Sequence, residues 1–277
     1  MQKVLCLDIG GSKIAYALIE EGNLLFEEKI YYDEHNIFDK EVFINTLNDL
    51  FIRYSPNKIS ISIAGFVKNT TILISPNAMW MNNLDFAKIF PIKEIYVEND
   101  ANVFAFSQFL KTKIENLVGI VWGTGIGAGI IHKGKIFKGE NLFAGEIGHA
   151  ICDYKTKKTY EQLLGTEGIM KEYKKKYNAV RYPLQIYREN EELFEEYTLD
   201  ALSCLLATIY QILGIKTFIF GGGIGSNLHE SFYKKLKKKV TNIILNNPDK
   251  DIAILKAKTS QRDIFYALYE ITKISKI

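Results

Sequence analysis

The chain has little cysteine: three residues in 277, Cys6, Cys152 and Cys204, far apart and with no C-x-x-C among them. That excludes a disulfide framework and a zinc site readable from ligand spacing. It lacks any apolar run near the roughly 20 residues that span a bilayer, so no membrane partner is expected. The start, Met1-Gln2-Lys3 followed by an apolar run over residues 4–9, is too short for a signal sequence, and the expected compartment is the cytoplasm. Charge of one sign is also lacking, because 35 basic residues face 32 acidic ones for a net +3. Nothing in that balance argues for nucleic acid. The basic clusters, Lys174-Lys175-Lys176 and Lys234-Lys235 with Lys237-Lys238-Lys239, lie in helix-like stretches and read as solvated helix faces. Proline is scarce, at five residues, and no Pro-, Gly- or Ser-rich linker divides the chain. No G-x-x-x-x-G-K-[ST] is present, so a Walker-type loop is excluded. With 47% hydrophobic and 24% charged residues, the chain is expected to form a packed core rather than remain disordered.

What is present is a pattern that starts twice. Residues 4–9, Lys13–Glu20 and 24–31 are strand-like runs joined at Gly10-Gly11 and at Glu21-Gly22-Asn23, an antiparallel meander. Phe43, Leu47, Leu50, Phe51 and Tyr54 then fall on one helical face. Residues 58–64 alternate isoleucine with serine and read as a strand; 94–97 is another, followed by a helix over 101–110. The pattern restarts with a strand over Leu117–Trp122, the turn Gly123-Thr124-Gly125, and a strand over 127–133 turning at Lys133-Gly134-Lys135. A helix-rich stretch over 159–214 follows, then a strand over 216–220, a helix over 231–245, a turn at Asn246-Asn247-Pro248-Asp249, a strand over 252–255 and a helix over 262–274. The expected organisation is two similar α/β domains around a central cleft, residues 1–113 and 114–261, with the helix at 262–277 returning to complete the first.

Three glycine turns carry the candidate chemistry. In Asp8-Ile9-Gly10-Gly11-Ser12-Lys13, side-chain-free backbone lets N–H groups point at an anion, and Ser12 and Lys13 add donors. Asp8 at a buried strand end is costly unless it meets a cation or donors, and a carboxylate beside a phosphate turn suits Mg²⁺. Gly123-Thr124-Gly125-Ile126-Gly127-Ala128 matches the dinucleotide pattern formally, but too few residues follow for the helix that pattern needs. It reads instead as a hairpin turn gripping a second phosphate. Gly221-Gly222-Gly223-Ile224-Gly225 offers a flat surface to a ring or sugar. Two polar clusters lie between these turns. In Glu98-Asn99-Asp100-Ala101-Asn102, Asp100 is a candidate general base and Asn99 a hydroxyl reader, while helix N-capping is the competing role for either. In Gly145-Glu146-Ile147-Gly148-His149, the carboxylate and imidazole suit sugar hydroxyls, and a structural histidine is the alternative.

Taken together and in order, these motifs resemble the ROK family (repressor, open reading frame, kinase), the sugar-kinase branch of the actin/hexokinase-like ATPases that includes glucokinases and N-acetylmannosamine kinases. The resemblance implies two ribonuclease-H-like domains closing on ATP, Mg²⁺ and a hexose or N-acetylhexosamine. Asp100 would be the base. Gly65, Asn99, Glu146, His149 and a later glutamate, best matched by Glu161, would hold the sugar. Asp8, Gly10, Gly11, Ser12, Lys13, Gly123, Thr124, Gly125, Gly222 and Gly223 would hold the nucleotide. A homodimer is a family-level expectation. The chain departs from the family's cysteine-rich zinc segment, C-x-C-G-x-x-G-C-x-E: the stretch after His149 is short and holds only Cys152, so zinc is not expected. The family's prolines and glycines around Ala64-Gly65-Phe66-Val67 are thinned out. The repressors' N-terminal helix-turn-helix has no counterpart, so no DNA-binding role is expected. The alternative is a non-catalytic ATP- or sugar-sensing regulator of the same fold.

Overall fold

A computed structural model describes residues 2–35, 39–75, 78–244 and 251–274. The turn expected at Asn246-Asn247-Pro248-Asp249 lies outside the described residues. Packing divides the chain into two compact units, one of residues 1–103 with 259–277 and one of residues 104–258.

The first unit begins with β1 (Lys3–Ile9), β2 (Lys13–Glu20) and β3 (Asn23–Tyr31), followed by the short helix α1 (Tyr32–His35) and by α2 (Lys40–Tyr54). β4 (Lys58–Ile63), a small sheet of β5 (Phe66–Lys68), β6 (Thr71–Ile74) and β7 (Leu84–Asp85), β8 (Ile95–Asn99) and the first four residues of α3 (Asp100–Thr112) follow, the rest of α3 belonging to the second unit. The main sheet runs β3-β2-β1-β4-β8: β1, β2 and β3 are antiparallel neighbours, while β4 and β8 lie parallel to β1. Val4, Leu5, Cys6 and Leu7 are all buried, as a central strand covered on both faces requires. In α2, Asp39 caps the N-terminus by accepting from the Glu41 and Val42 N–H groups, and Phe43, Leu47 and Leu50 form the buried stripe.

The second unit repeats this topology. β9 (Leu117–Trp122), β10 (Ile126–His132) and β11 (Lys135–Ile136) form the antiparallel part. The hairpin β12 (Ile151–Asp153) and β13 (Lys158–Thr159) follows, then helices α4 (Tyr160–Leu164), α5 (Thr166–Tyr177), α6 (Pro183–Glu189) and α7 (Glu191–Leu213). β14 (Thr217–Gly221), α8 (Gly222–Gly225), α9 (Glu230–Ile243) and β15 (Ala253–Lys256) close the unit, and the sheet order is β11-β10-β9-β14-β15. Even the hairpin turns match: Glu21 and Gly22 have φ 46° and 84°, and Lys133 and Gly134 have φ 51° and 71°. Positive φ at both central residues is the two-residue turn whose twist suits antiparallel strands. Trp122 centres the second core, fully buried against Phe194, Phe220 and Phe232, with its Nε1–H donating to Leu164 O at 2.7 Å. The lysines of α9 face outward and pair with acids of α7, Lys235 with Glu195 at 2.7 Å and Lys239 with Asp200. That bears out a solvated helix face.

The last helix, α10 (Gln261–Ile271), returns to the first unit and packs on β1 and β4. Ser60 and Ser62 are 0% and 1% exposed, and the register sets them beside Cys6 and Asp8. The Ile/Ser alternation of β4 therefore marks a strand buried on both sides rather than one with a wet face. No described helix is long and apolar enough to cross a membrane.

Candidate active site

In the first unit, the turn between β1 and β2 is fastened by its own backbone and by Tyr32. Gly10 N–H donates to Lys13 O (3.0 Å), Tyr32 N–H to Ser12 O (3.0 Å), and the Tyr32 hydroxyl to Gly10 O (2.8 Å). Gly10, Gly11 and Ser12 are exposed and Lys13 is half-buried; a Cβ at Gly11 would meet no protein atom within 4 Å. The turn is thus a rigid, open backbone surface. Asp8, half-buried, enters it from β1 with Oδ2 accepting from Gln261 Nε2 at 2.8 Å.

Asp100 stands at the start of α3. Burial, and after it the charge of Asp8, pushes its pKa from 3.8 up to about 6. Asn99 is the helix N-cap: its Oδ1 accepts from Ala101 N–H (2.9 Å) and Asn102 N–H (3.3 Å). Its Nδ2 donates to Gly65 O (3.0 Å), which among the described residues leaves one amide hydrogen for a ligand. Gly65 has φ 134°, and a Cβ there would collide with Ile74 O. The residue is therefore fixed by the fold, and its carbonyl is taken by Asn99.

In the second unit, the Gly123-Thr124-Gly125 turn is clamped by Thr166 at the start of α5. Thr166 N–H donates to Thr124 O (2.9 Å) and its hydroxyl to Gly123 O (3.0 Å). Glu161 lies beside this turn: a Cβ at Gly125 would run into its carboxylate, and one at Gly148 would come within 3.3 Å of Oε2. The β12–β13 hairpin delivers it there. Asp153 ties the hairpin turn by accepting from Lys155 N–H (2.9 Å) and the Thr156 hydroxyl (2.6 Å). A reciprocal Thr159–Gln162 capping box then starts α4 at Tyr160, so Glu161 falls in its first turn. Glu146 precedes and His149 ends a short 3-10 turn over Ile147–His149, with His149 Nε2 3.8 Å from Glu146 Oε2 and both side chains partly exposed. Glu146, His149 and Glu161 thus sit in one neighbourhood with Gly148. Among the described residues, no group of three or more His, Cys, Asp or Glu is arranged to hold a metal ion.

The glycine run after β14 divides by role. Gly222 has φ 83°, and a Cβ on it would collide with the Trp122 backbone, whereas one at Gly223 meets nothing within 4 Å. Gly223 is the open surface and Gly222 the packing residue. Gln261 and Tyr32 escaped the sequence reading. Both act from elements that only the folded sheet brings to the turn, and no local spacing marks them.

Two units of like topology, each opening with a strand–glycine turn–strand and carrying polar groups at strand ends, define a two-domain α/β fold of the actin/hexokinase-like class. The ROK family model matches residues 4–264. The chain belongs to the ROK family. It is 26% identical over 264 residues to an N-acetylmannosamine kinase of Vibrio cholerae serotype O1, covering 86% of this chain and 89% of that one. It superposes on a ROK family glucokinase from Streptomyces griseus, solved with glucose and AMPPNP, with TM-score 0.77 and 20% identity over 98% and 99% of the two chains. A ROK family transcriptional regulator, a homologue of an E. coli protein, matches with TM-score 0.77 and 18% identity, covering 98% of this chain and 78% of that one.

Proposed function

We propose that this protein is an ATP-dependent sugar kinase that transfers the γ-phosphoryl group to a hydroxyl of a hexose or N-acetylhexosamine. The observation that carries the reading is Asp100: a carboxylate where β8 gives way to α3, within reach of the charge of Asp8, with its pKa pushed up to about 6. Such a group is ionised at neutral pH yet basic enough to take a proton from an attacking hydroxyl as the new O–P bond forms. Phosphoryl transfer asks little else of a protein than positioning and charge neutralisation.

Each residue then has a role. Asp100 accepts the hydroxyl proton. Asn99, whose oxygen is spent on the helix cap, gives its remaining amide hydrogen to the sugar. Glu146, His149 and Glu161 accept from and donate to neighbouring hydroxyls of the ring, and Gly65 holds Asn99 through its carbonyl. The turns Gly10-Gly11-Ser12, with Lys13, and Gly123-Thr124-Gly125 cradle phosphates, and the Gly222-Gly223 peptide faces the nucleoside. The oxygen donors at Asp8 fit Mg²⁺, which prefers few carboxylates together with phosphate oxygens; when bound there it would neutralise charge on the transferring group. The kinship with an N-acetylmannosamine kinase favours an N-acetylhexosamine over glucose as acceptor.

The test is ADP release by the purified protein with ATP and Mg²⁺ across N-acetylmannosamine, N-acetylglucosamine, glucose, mannose and fructose. Release that depends on one sugar supports the kinase. Binding of ATP or sugar without turnover on any of them would make the chain a sensing regulator instead.

A further inference from the structure

Beneath the Asn99-Asp100 turn lies a buried polar pair. Glu98 is 6% exposed and Asn102 is 4% exposed. Glu98 Oε1 accepts from the Asn99 N–H at 3.0 Å and from Asn102 Nδ2 at 2.9 Å. The register places Glu98 beside Ser62, and Ser62 beside Asp8, so the carboxylate belongs to the row that leads across the sheet to the first glycine turn. Asn102 Oδ1 has no partner among the described residues. The amide is therefore held through its donor end alone, by Glu98.

A buried carboxylate and a buried amide are costly groups to keep in a strand-to-helix junction, and an apolar pair would fill the space at lower cost. Their geometry does something an apolar pair would not. Glu98 grips the N–H of Asn99, the residue before Asp100, and, at the same time, the side chain two residues after Asp100. Asn99 caps the same helix end through the Ala101 and Asn102 N–H groups. Asp100 is left between two fixed points, with its Oδ1 accepting from the Ala101 N–H at 2.9 Å.

We propose that Glu98 and Asn102 are positioning residues that set the direction of the Asp100 carboxylate. The proposal rests on the reading of Asp100 as the base. Placement of a base tolerates little error, since a displacement of about 1 Å can cost on the order of 100-fold in rate.

The test exchanges the two ends of the hydrogen bond. Asn102→Asp sets a second carboxylate against Glu98, and kcat should fall at least about tenfold, with the KM for ATP within about twofold of wild type. Adding Glu98→Gln to Asn102→Asp rebuilds an amide–carboxylate bond with its ends reversed, and kcat should recover to within about threefold. Should Asn102→Asp not fold, Asn102→Ala removes the same donor without adding charge and should show the same drop in kcat. Melting temperature is recorded for every variant, with kcat taken well below it. A single variant that melts lower but keeps full kcat per folded molecule, or a double variant that regains melting temperature but not kcat, would overturn the proposal. Asp100→Asn serves as the control: if it is inactive while Asn102→Asp and Asn102→Ala turn over normally, the latch is wrong and the base stands. If Asp100→Asn itself turns over normally, it is the base assignment that fails.

Discussion

Replacing Asp100 by Asn should remove activity and add stability at once. The rise from 3.8 to about 6 means the folded chain holds a proton that the unfolded chain has already released between those pH values. Stability therefore falls as pH rises through that window, and above it the ionised carboxylate costs the fold up to about 3 kcal/mol. Asparagine is nearly isosteric and uncharged, and its Oδ1 can still accept from the Ala101 N–H that Asp100 meets at 2.9 Å. At pH 7.5 the variant should thus melt several degrees higher than wild type, and the gap should close toward pH 4. Turnover should fall by roughly 10²–10⁴-fold, the span for loss of a general base. In the wild type, kcat/KM for the sugar should climb with pH as the base of the free enzyme ionises, from about a tenth of its plateau at pH 5 to about nine tenths at pH 7. Thermal melts and ADP release over pH 4–9 for both proteins measure all of this. A variant that melts lower and keeps near-normal turnover would refute the reasoning, because the carboxylate would then be there for the helix end alone.

Glu146→Ala and His149→Ala should raise the KM for sugar strongly, leave the KM for ATP nearly unchanged and move the melting temperature little, since both side chains are partly exposed; equal losses for both substrates would contradict the sugar assignment. Gln261→Ala frees Asp8 Oδ2 from its 2.8 Å donor and should raise the KM for ATP at limiting Mg²⁺ while sparing the KM for sugar, as steady-state titrations would report. Because the β12–β13 hairpin is tied by Asp153 and a capping box, incubation with a chelator followed by repurification should leave the melting temperature unchanged, and elemental analysis should find far less than one zinc per chain.

The meander of each unit, the helical face of Phe43, Leu47 and Leu50, and the strand read over 94–97, which the fold carries on to Asn99, were legible because their period is local and both hairpin turns carry a glycine. The role of Asn99 was half legible. Its place at a strand end allowed either a cap or a ligand reader, and the fold uses its oxygen for the cap and one amide hydrogen for Gly65. Nothing local announced that Gly222 packs on Trp122 while Gly223 stays open, since that depends on a strand 100 residues earlier in the chain. The small sheet of β5, β6 and β7 was not read at all: its strands run two to four residues, too short for a period to register. The hairpin over residues 151–159 was visible only as a missing cysteine motif, and its replacement, side-chain caps at Asp153 and Thr159, emerged with the backbone.

The central claim is that one phosphoryl group passes from ATP to a sugar hydroxyl. Mass spectrometry of the reaction with ATP, Mg²⁺ and N-acetylmannosamine or another accepted sugar tests it most directly. The account predicts ADP and sugar monophosphate in one-to-one ratio, with neither formed when the sugar is left out. ADP accumulating at the same rate with and without sugar, or no phosphorylated sugar from any member of the panel, would contradict it.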